Sequence, residues 1–220
     1  MTFNYCPPKK LQDLKSITLP NGKRHYLTPN GIKLPSVTTV VGSIKKQYIL
    51  EWRERVGEEV ANKISKIASG RGTSVHLLCE KYLNNEPSGT SMPDALEMFK
   101  SIRPALDRIT DIYYNEQVFW SEKVGMAGRV DCIAHYEGEL SVIDFKTSSK
   151  IKKSEDIQDY FWQTTAYALM HEDQTGIPID NLVVIMAVVN EKPLIFKEKT
   201  RDHIAGLVKA IKFYREQNAN

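Results

Sequence analysis

Long apolar runs are missing from this 220-residue sequence: its longest apolar stretch, Leu182 to Val189, has the length of a buried strand and falls well short of the roughly 20 residues of a membrane span. A membrane-spanning helix is thereby excluded. Cysteine is scarce and odd in number. Cys6, Cys79 and Cys132 have no C-x-x-C spacing, which argues against a disulfide framework, a zinc ribbon and a four-cysteine iron–sulfur cluster, and leaves three free thiols. Internal repeats and low-complexity tracts are absent. The first residues, from Met1 to Pro8, lack the apolar core of a signal peptide and the Arg-rich helix of a transit peptide, so the sequence reads as intracellular. That reading points to the cytoplasm of a bacterium or phage-infected cell rather than to the mitochondrial matrix.

Net charge is also small. With 30 Lys and Arg against 27 Asp and Glu, a formal +3 does not by itself mark a polyanion binder. Its distribution is uneven: residues 1–55 hold ten basic and three acidic side chains, so the front is basic and the acids follow. Composition is otherwise globular, 41% hydrophobic and 26% charged, and the length suits one domain.

Residues 14–41 read as short strands and turns. Apolar positions Ile49, Trp52, Val56, Val60, Ile64 and Ile67 recur at helical spacing, predicting an amphipathic helix over 46–68 that stops at Ser69-Gly70 and packs its stripe in the core. A second helix, capped by Thr73, is expected to reach Leu83, and a third to cover 94–110 with Pro104 limiting it. From Tyr113 the period becomes two. Strands are predicted over 113–120, 128–136 and 139–147, then a helix over 157–172, strands over 181–189 and 194–197, and a helix over 201–216. The fold class is α/β in the mixed α+β sense, a small mixed sheet flanked by helices. A single domain over 1–220 divides into a mainly helical part, 1–110, and a core, 111–220.

The most informative stretch runs from Gly128 to Lys146. Glu137-Gly138 suits a two-residue hairpin loop, because glycine supplies the positive φ such turns need. With 137 and 138 as the loop, 136 faces 139 and, counting outward, Asp131 faces Asp144. Like charges so opposed destabilise a sheet unless a cation neutralises them. Lys146 shares a face with Asp144. Two carboxylates and an ammonium suit metal-assisted phosphodiester hydrolysis, in which Mg²⁺ or Mn²⁺ takes carboxylate oxygens and activates water. Taken alone, Asp-x-Lys is short enough to recur by chance, and these residues could equally be solvated edge-strand charges.

Two further pairs stand at i and i+4 on helices: His76 with Glu80, and Gln163 with Tyr167. Imidazole is a transition-metal ligand tolerable for Mn²⁺, although a lone helical histidine is more often structural.

The ordered blocks Gly72-Thr-Ser-Val-His76-Leu-Leu-Cys-Glu80, Gly128-Arg-Val-Asp131, Asp144-Phe-Lys146 and Gln163-Thr-Thr-Ala-Tyr167 resemble the motif set of RecB-type nucleases in the PD-(D/E)XK superfamily. Leu34-Pro-Ser-Val-Thr-Thr-Val-Val upstream is similar to a segment of the mitochondrial genome maintenance exonucleases and their phage and bacterial relatives. The first acidic position is Gly-x-x-Asp where many members have Pro-Asp. The resemblance implies a restriction-endonuclease-like core with a helical N-terminal elaboration. It implies that His76, Asp131, Asp144 and the carbonyl of Phe145 bind Mg²⁺ or Mn²⁺, that Asp131, Asp144 and Lys146 are catalytic, and that Gln163 and Tyr167 position DNA or the lysine. Glu80 and Glu116 are left without an assigned role; Glu116 could approach a second metal or be structural.

Arg71 is the favoured phosphate contact. Lys150, Lys152 and Lys153 could line a groove, as could Lys45, Lys46, Arg53 and Arg55 near Tyr48 and Trp52, with Trp52 read mainly as core. The activity implied is a DNA exonuclease for single-stranded ends, monomeric, serving repair, recombination or replication, without a membrane or small-molecule partner. The alternatives are a catalytically idle nucleic-acid-binding module and a structure-specific endonuclease.

Overall fold

A computed structural model describes residues 2–6 and 8–218; Met1, Pro7, Ala219 and Asn220, included in the single-domain reading, lie outside the described residues. The front segment opens with β1 (Ser16–Thr18), β2 (Arg24–Leu27) and β3 (Lys33–Pro35), a small antiparallel sheet. A short helix follows where strand was expected, α1 (Val37–Gly42). Ser36 caps it, its hydroxyl accepting from the Thr39 N–H at 3.1 Å, and Val37, Val40 and Val41 bury one face, so capping and i, i+3, i+4 burial outweigh the β preference of a Val/Thr run.

The next two helices differ from the sequence reading in a way that bears on the site. α2 (Lys46–Val56) ends at Gly57, whose φ of +85° no helix continues through. α3 (Glu58–Leu83) then runs unbroken through Ser69-Gly70 and past Thr73, so Thr73 caps nothing. Gly70 and Gly72 stay in helical conformation, which costs stability but does not end a helix. The apolar stripe is not core either: Ile49, Val60, Ile64 and Ile67 are exposed, and Trp52 is half-buried. α2 and the first half of α3 form an arm, while the second half of α3 buries Val75, Leu78, Cys79 and Leu83. α4 (Pro93–Leu106) keeps Pro104 inside its last turn and stops before 110, where the first long strand has begun.

β4 (Ile109–Ser121), β5 (Met126–Tyr136) and β6 (Glu139–Ser148) make an antiparallel meander, α5 (Gln158–Thr175) crosses over, and β7 (Asn181–Val188) pairs parallel to β6 with β8 (Leu194–Lys199) antiparallel beyond it. α6 (Thr200–Glu216) closes the chain. The sheet order β4-β5-β6-β7-β8 is the small mixed sheet expected. One face packs on α3 and α4 through Leu78, Phe99, Ile102, Ile143 and Phe145. The other packs on α1, α5 and α6 through Val40, Val142, Ala166, Met170 and Leu207. Among the described residues no helix is long and apolar enough to cross a membrane. Cys79 and Cys132 are buried and Cys6 half-buried, all three free.

Candidate active site

The hairpin register is the one counted from Glu137-Gly138: Tyr136 pairs with Glu139 and Cys132 with Ile143. Regular pairing ends there, one step short of Asp131 and Asp144. The strands part, and a side chain replaces the backbone ladder: the Phe145 N–H donates to Oδ2 of Asp131 at 2.7 Å. The opening this creates is reached from both faces of the sheet. α3 brings His76 from one, its Nδ1 3.4 Å from Asp131 Oδ2, with the Phe145 ring edge-on behind it. α5 brings Gln163 and Tyr167 from the other.

Lys146 lies beside Asp144 as period two requires, Nζ to Oδ2 at 2.5 Å, with the Tyr160 ring 5.0 Å from the ammonium. Gln163 Nε2 donates to Asp144 Oδ1 at 3.0 Å. Burial of Asp144 pushes its carboxyl up to about 6 even though Lys146 pulls the other way, and the Asp131 charge adds to the rise. Asp131 moves oppositely: burial would raise it, but His76, Lys146 and the Phe145 N–H together hold it below the usual carboxylate range. Burial would lower both His76 and Lys146, but the charge and hydrogen bond of Asp131 with the Asp144 charge raise His76, and Asp144 and Asp131 together raise Lys146.

Tyr167 is 2% exposed, its hydroxyl hemmed in by Gly128. A Cβ at Gly128 would stand 2.9 Å from that hydroxyl and 3.1 Å from Val37 Cγ2, so the glycine of Gly-x-x-Asp is a matter of space. A cavity of ≈ 220 Å³ opens over the site, walled by His76, Asp131, Lys146, Gln163 and Tyr167. Part of its lining was missed in the sequence: Arg24 and Tyr26 of β2, Ser36 and Thr38 of the Leu34–Val41 segment, which form its far wall, and Arg129 of β5. That segment is stitched in place by the Ser36 N–H bonded to the Arg24 carbonyl and by a bridge from Ser36 to Ala127. Its quoted motif and the basic front were the available signals.

Other candidates lie elsewhere. Arg71, one turn and a half before His76 on α3, is half-buried with Nε unpartnered and takes no part in the cavity wall. Lys45 pairs with Asp159 at 2.6 Å, and Arg53 with Asn62 at 2.6 Å and Glu58 at 3.6 Å. Lys46, Arg55, Lys150 and Lys153 are exposed, and Lys152 is half-buried.

His76, Glu116 and Asp131 each offer a donor atom, all within 4.8 Å of one another. The buried Oδ2 of Asp144 has no regular hydrogen bond and meets only the Lys146 ammonium. Carboxylate oxygens with a single imidazole fit a divalent cation of the Mg²⁺ or Mn²⁺ kind.

Residues 45–214 match the family model of the PD-(D/E)XK nuclease superfamily. The chain belongs to that superfamily. It is similar to mitochondrial genome maintenance exonuclease 1 of Mus musculus, 27% identical over 174 residues that cover 73% of this chain and 51% of that protein. The Homo sapiens protein of the same name is 27% identical over 176 residues, with the same coverage of 73% and 51%. That of Xenopus tropicalis is 25% identical over 221 residues, covering 86% and 61%. The chain thus spans about half the length of the first two relatives. In this member of the superfamily the motif blocks fall where β5, β6, α3 and α5 converge.

Proposed function

We propose that this chain is a Mg²⁺- or Mn²⁺-dependent DNA exonuclease, a monomer that hydrolyses phosphodiester bonds from single-stranded ends. The observation that carries the reading is the convergence of His76, Asp131 and Lys146 on one small cavity at the parting of β5 and β6, with Asp144 buried directly behind Lys146. The relatives, named as exonucleases, support the exonucleolytic mode.

His76, Asp131, Asp144 and the carbonyl of Phe145 would hold the cation. When bound it would polarise the phosphate and lower the pKa of the attacking water. Lys146, kept protonated by Asp144, offsets charge growing on the phosphoryl oxygens and orients the water. Gln163 fixes the Asp144 carboxylate against rotation, and Tyr167 sets the position of β5 through its contact with Gly128. Arg24, Arg129 and Thr38, which line the same cavity, supply polar groups for the incoming strand. A cavity of ≈ 220 Å³ suits one sugar–phosphate backbone better than paired strands.

The test is a time course on end-labelled linear single-stranded, double-stranded and circular single-stranded DNA with Mg²⁺ or Mn²⁺, beside Lys146→Ala and Asp144→Asn. Loss of linear single strands only, abolished in both variants, is the expected result. Cutting of the circle makes the protein an endonuclease. Binding in Ca²⁺ without cutting in Mg²⁺ or Mn²⁺ makes it an idle module.

A further inference from the structure

Three carboxylates stand in a row across three neighbouring strands: Glu116 on β4, Asp131 on β5 and Asp144 on β6. The β4–β5 register pairs Asn115 with Cys132 and Gln117 with Val130, so Glu116 falls opposite Asp131. Like charges so opposed repel unless a cation or a proton neutralises them. Lys146 supplies one positive charge and spends it on Asp144.

Glu116 also stands in a conformation that its residue type rarely adopts. Its φ is +54° in the interior of a strand, where a side chain carries a cost of about 1–3 kcal/mol unless the surroundings enforce it. They do so here: the Arg129 guanidinium donates to the Glu116 backbone carbonyl. The same guanidinium lies 3.6 Å from Asp13 and makes no ion pair with the Glu116 carboxylate. Among the described residues that half-buried carboxylate makes no hydrogen bond and no ion pair. What it does have is His76 and Asp131, with donor atoms of all three inside 4.8 Å. Next in the row, Oδ2 of Asp144, a residue 1% exposed, meets only the Lys146 ammonium.

We propose that Glu116 is a ligand of the divalent cation, standing beside the His76–Asp131 pair in the row of carboxylates. The inference rests on the metal-dependent reading above. It adds a fourth side chain to the His76, Asp131 and Asp144 set.

Binding of Mn²⁺ to the full chain without DNA, read from the paramagnetic resonance of the free ion, tests this apart from cleavage. Glu116→Gln keeps the shape and loses the charge; its Mn²⁺ affinity is expected to fall roughly tenfold or more, as in Asp131→Asn. Glu116→Gly removes the carboxylate and relaxes the strained φ, so its melting temperature should rise while its Mn²⁺ affinity falls as in the glutamine variant. Unchanged Mn²⁺ affinity in Glu116→Gln beside a loss in Asp131→Asn overturns the inference and leaves the metal-dependent reading standing. A wild-type chain that binds no Mn²⁺ overturns both.

Discussion

Gln163 donates from Nε2 to Oδ1 of Asp144 at 3.0 Å, tying the crossover helix to the strand that carries the Asp-x-Lys pair. A carboxylate with one oxygen held by an amide and the other by an ammonium cannot rotate, and its geometry is set before any substrate arrives. Gln163→Leu leaves that oxygen buried without its donor. We expect a loss of about 1–3 kcal/mol in stability from the unsatisfied group, and a cleavage rate lower by roughly 10- to 100-fold. Urea unfolding and single-turnover cleavage measure the two; cleavage at the wild-type rate would remove Gln163 from the positioning role.

Gly128 has a steric reason that is equally open to test. A methyl group there meets the Tyr167 hydroxyl at 2.9 Å, and Tyr167 is too buried to swing away. Gly128→Ala should cost about 1–3 kcal/mol by overpacking. Adding Tyr167→Phe, which removes the obstructing oxygen, should recover part of the loss. A double-mutant cycle by chemical denaturation gives the coupling, and strict additivity would show that the two do not press on each other.

Arg24 predicts a binding effect without a catalytic one. It walls the cavity opposite Asp131 and Lys146. Arg24→Gln should weaken single-stranded DNA binding in Ca²⁺ and reduce the slope of log affinity against log salt by about 0.7, the value of one phosphate contact on a single strand. Titrations at several salt concentrations read the slope directly.

Acid sensitivity should come in part from a residue remote from the site. His171 is buried, its ring near Tyr114 and Phe119, and its Nδ1–H donates to the Ile177 carbonyl at 2.9 Å. Burial holds its pKa below the ordinary histidine value, so the unfolded chain binds the proton more readily. Stability from His171 is therefore complete above the unfolded pKa, about 6.5, and is lost as pH falls toward the folded value. The melting temperature should drop on acidification, and His171→Leu should flatten that drop. An unchanged profile in the variant would place the acid sensitivity elsewhere.

Where the sequence was informative, a local residue choice left few options. Glu137 at φ +51° and Gly138 at φ +87° make the tight turn, and a two-residue loop fixes every pairing that follows. That is why Asp131, Asp144 and Lys146 could be brought together by counting. The same count was available across Ser121 and Met126, where four residues ending in Gly125 connect β4 to β5, and it would have set Glu116 opposite Asp131. The helices were less legible. Glycine alone does not say whether a helix ends: Gly57 takes a positive φ and ends α2, while Gly70 and Gly72 stay helical within α3. Nor does periodicity say what a stripe faces. Ile64 and Ile67, 47% and 54% exposed, repeat like core residues and touch no core. The far wall of the cavity was out of reach because Arg24 and Thr38 meet His76 only through tertiary contacts.

That arm yields a simple check. Ile64→Ser and Ile67→Ser should each change stability by less than about 0.5 kcal/mol, as for surface substitutions, whereas Leu78→Ala in the buried half of the same helix should cost about 2–5 kcal/mol. Equal losses would mean that the arm is packed in solution.

Every side chain of the site lies between Glu116 and Tyr167 or earlier, yet β6 is an interior strand whose parallel neighbour begins only at Asn181. Asp144 pairs with Val184 and Lys146 with Met186 across that seam. During synthesis the chain can therefore carry a full set of reactive groups while β6 still presents a bare edge. Parallel pairing across a helix is slow to close, and an unpaired edge is a template for self-association. The strand that carries Asp144 and Lys146 is sealed only once β7 and β8 have been made, and until then the half-made sheet lacks their protection from its own kind.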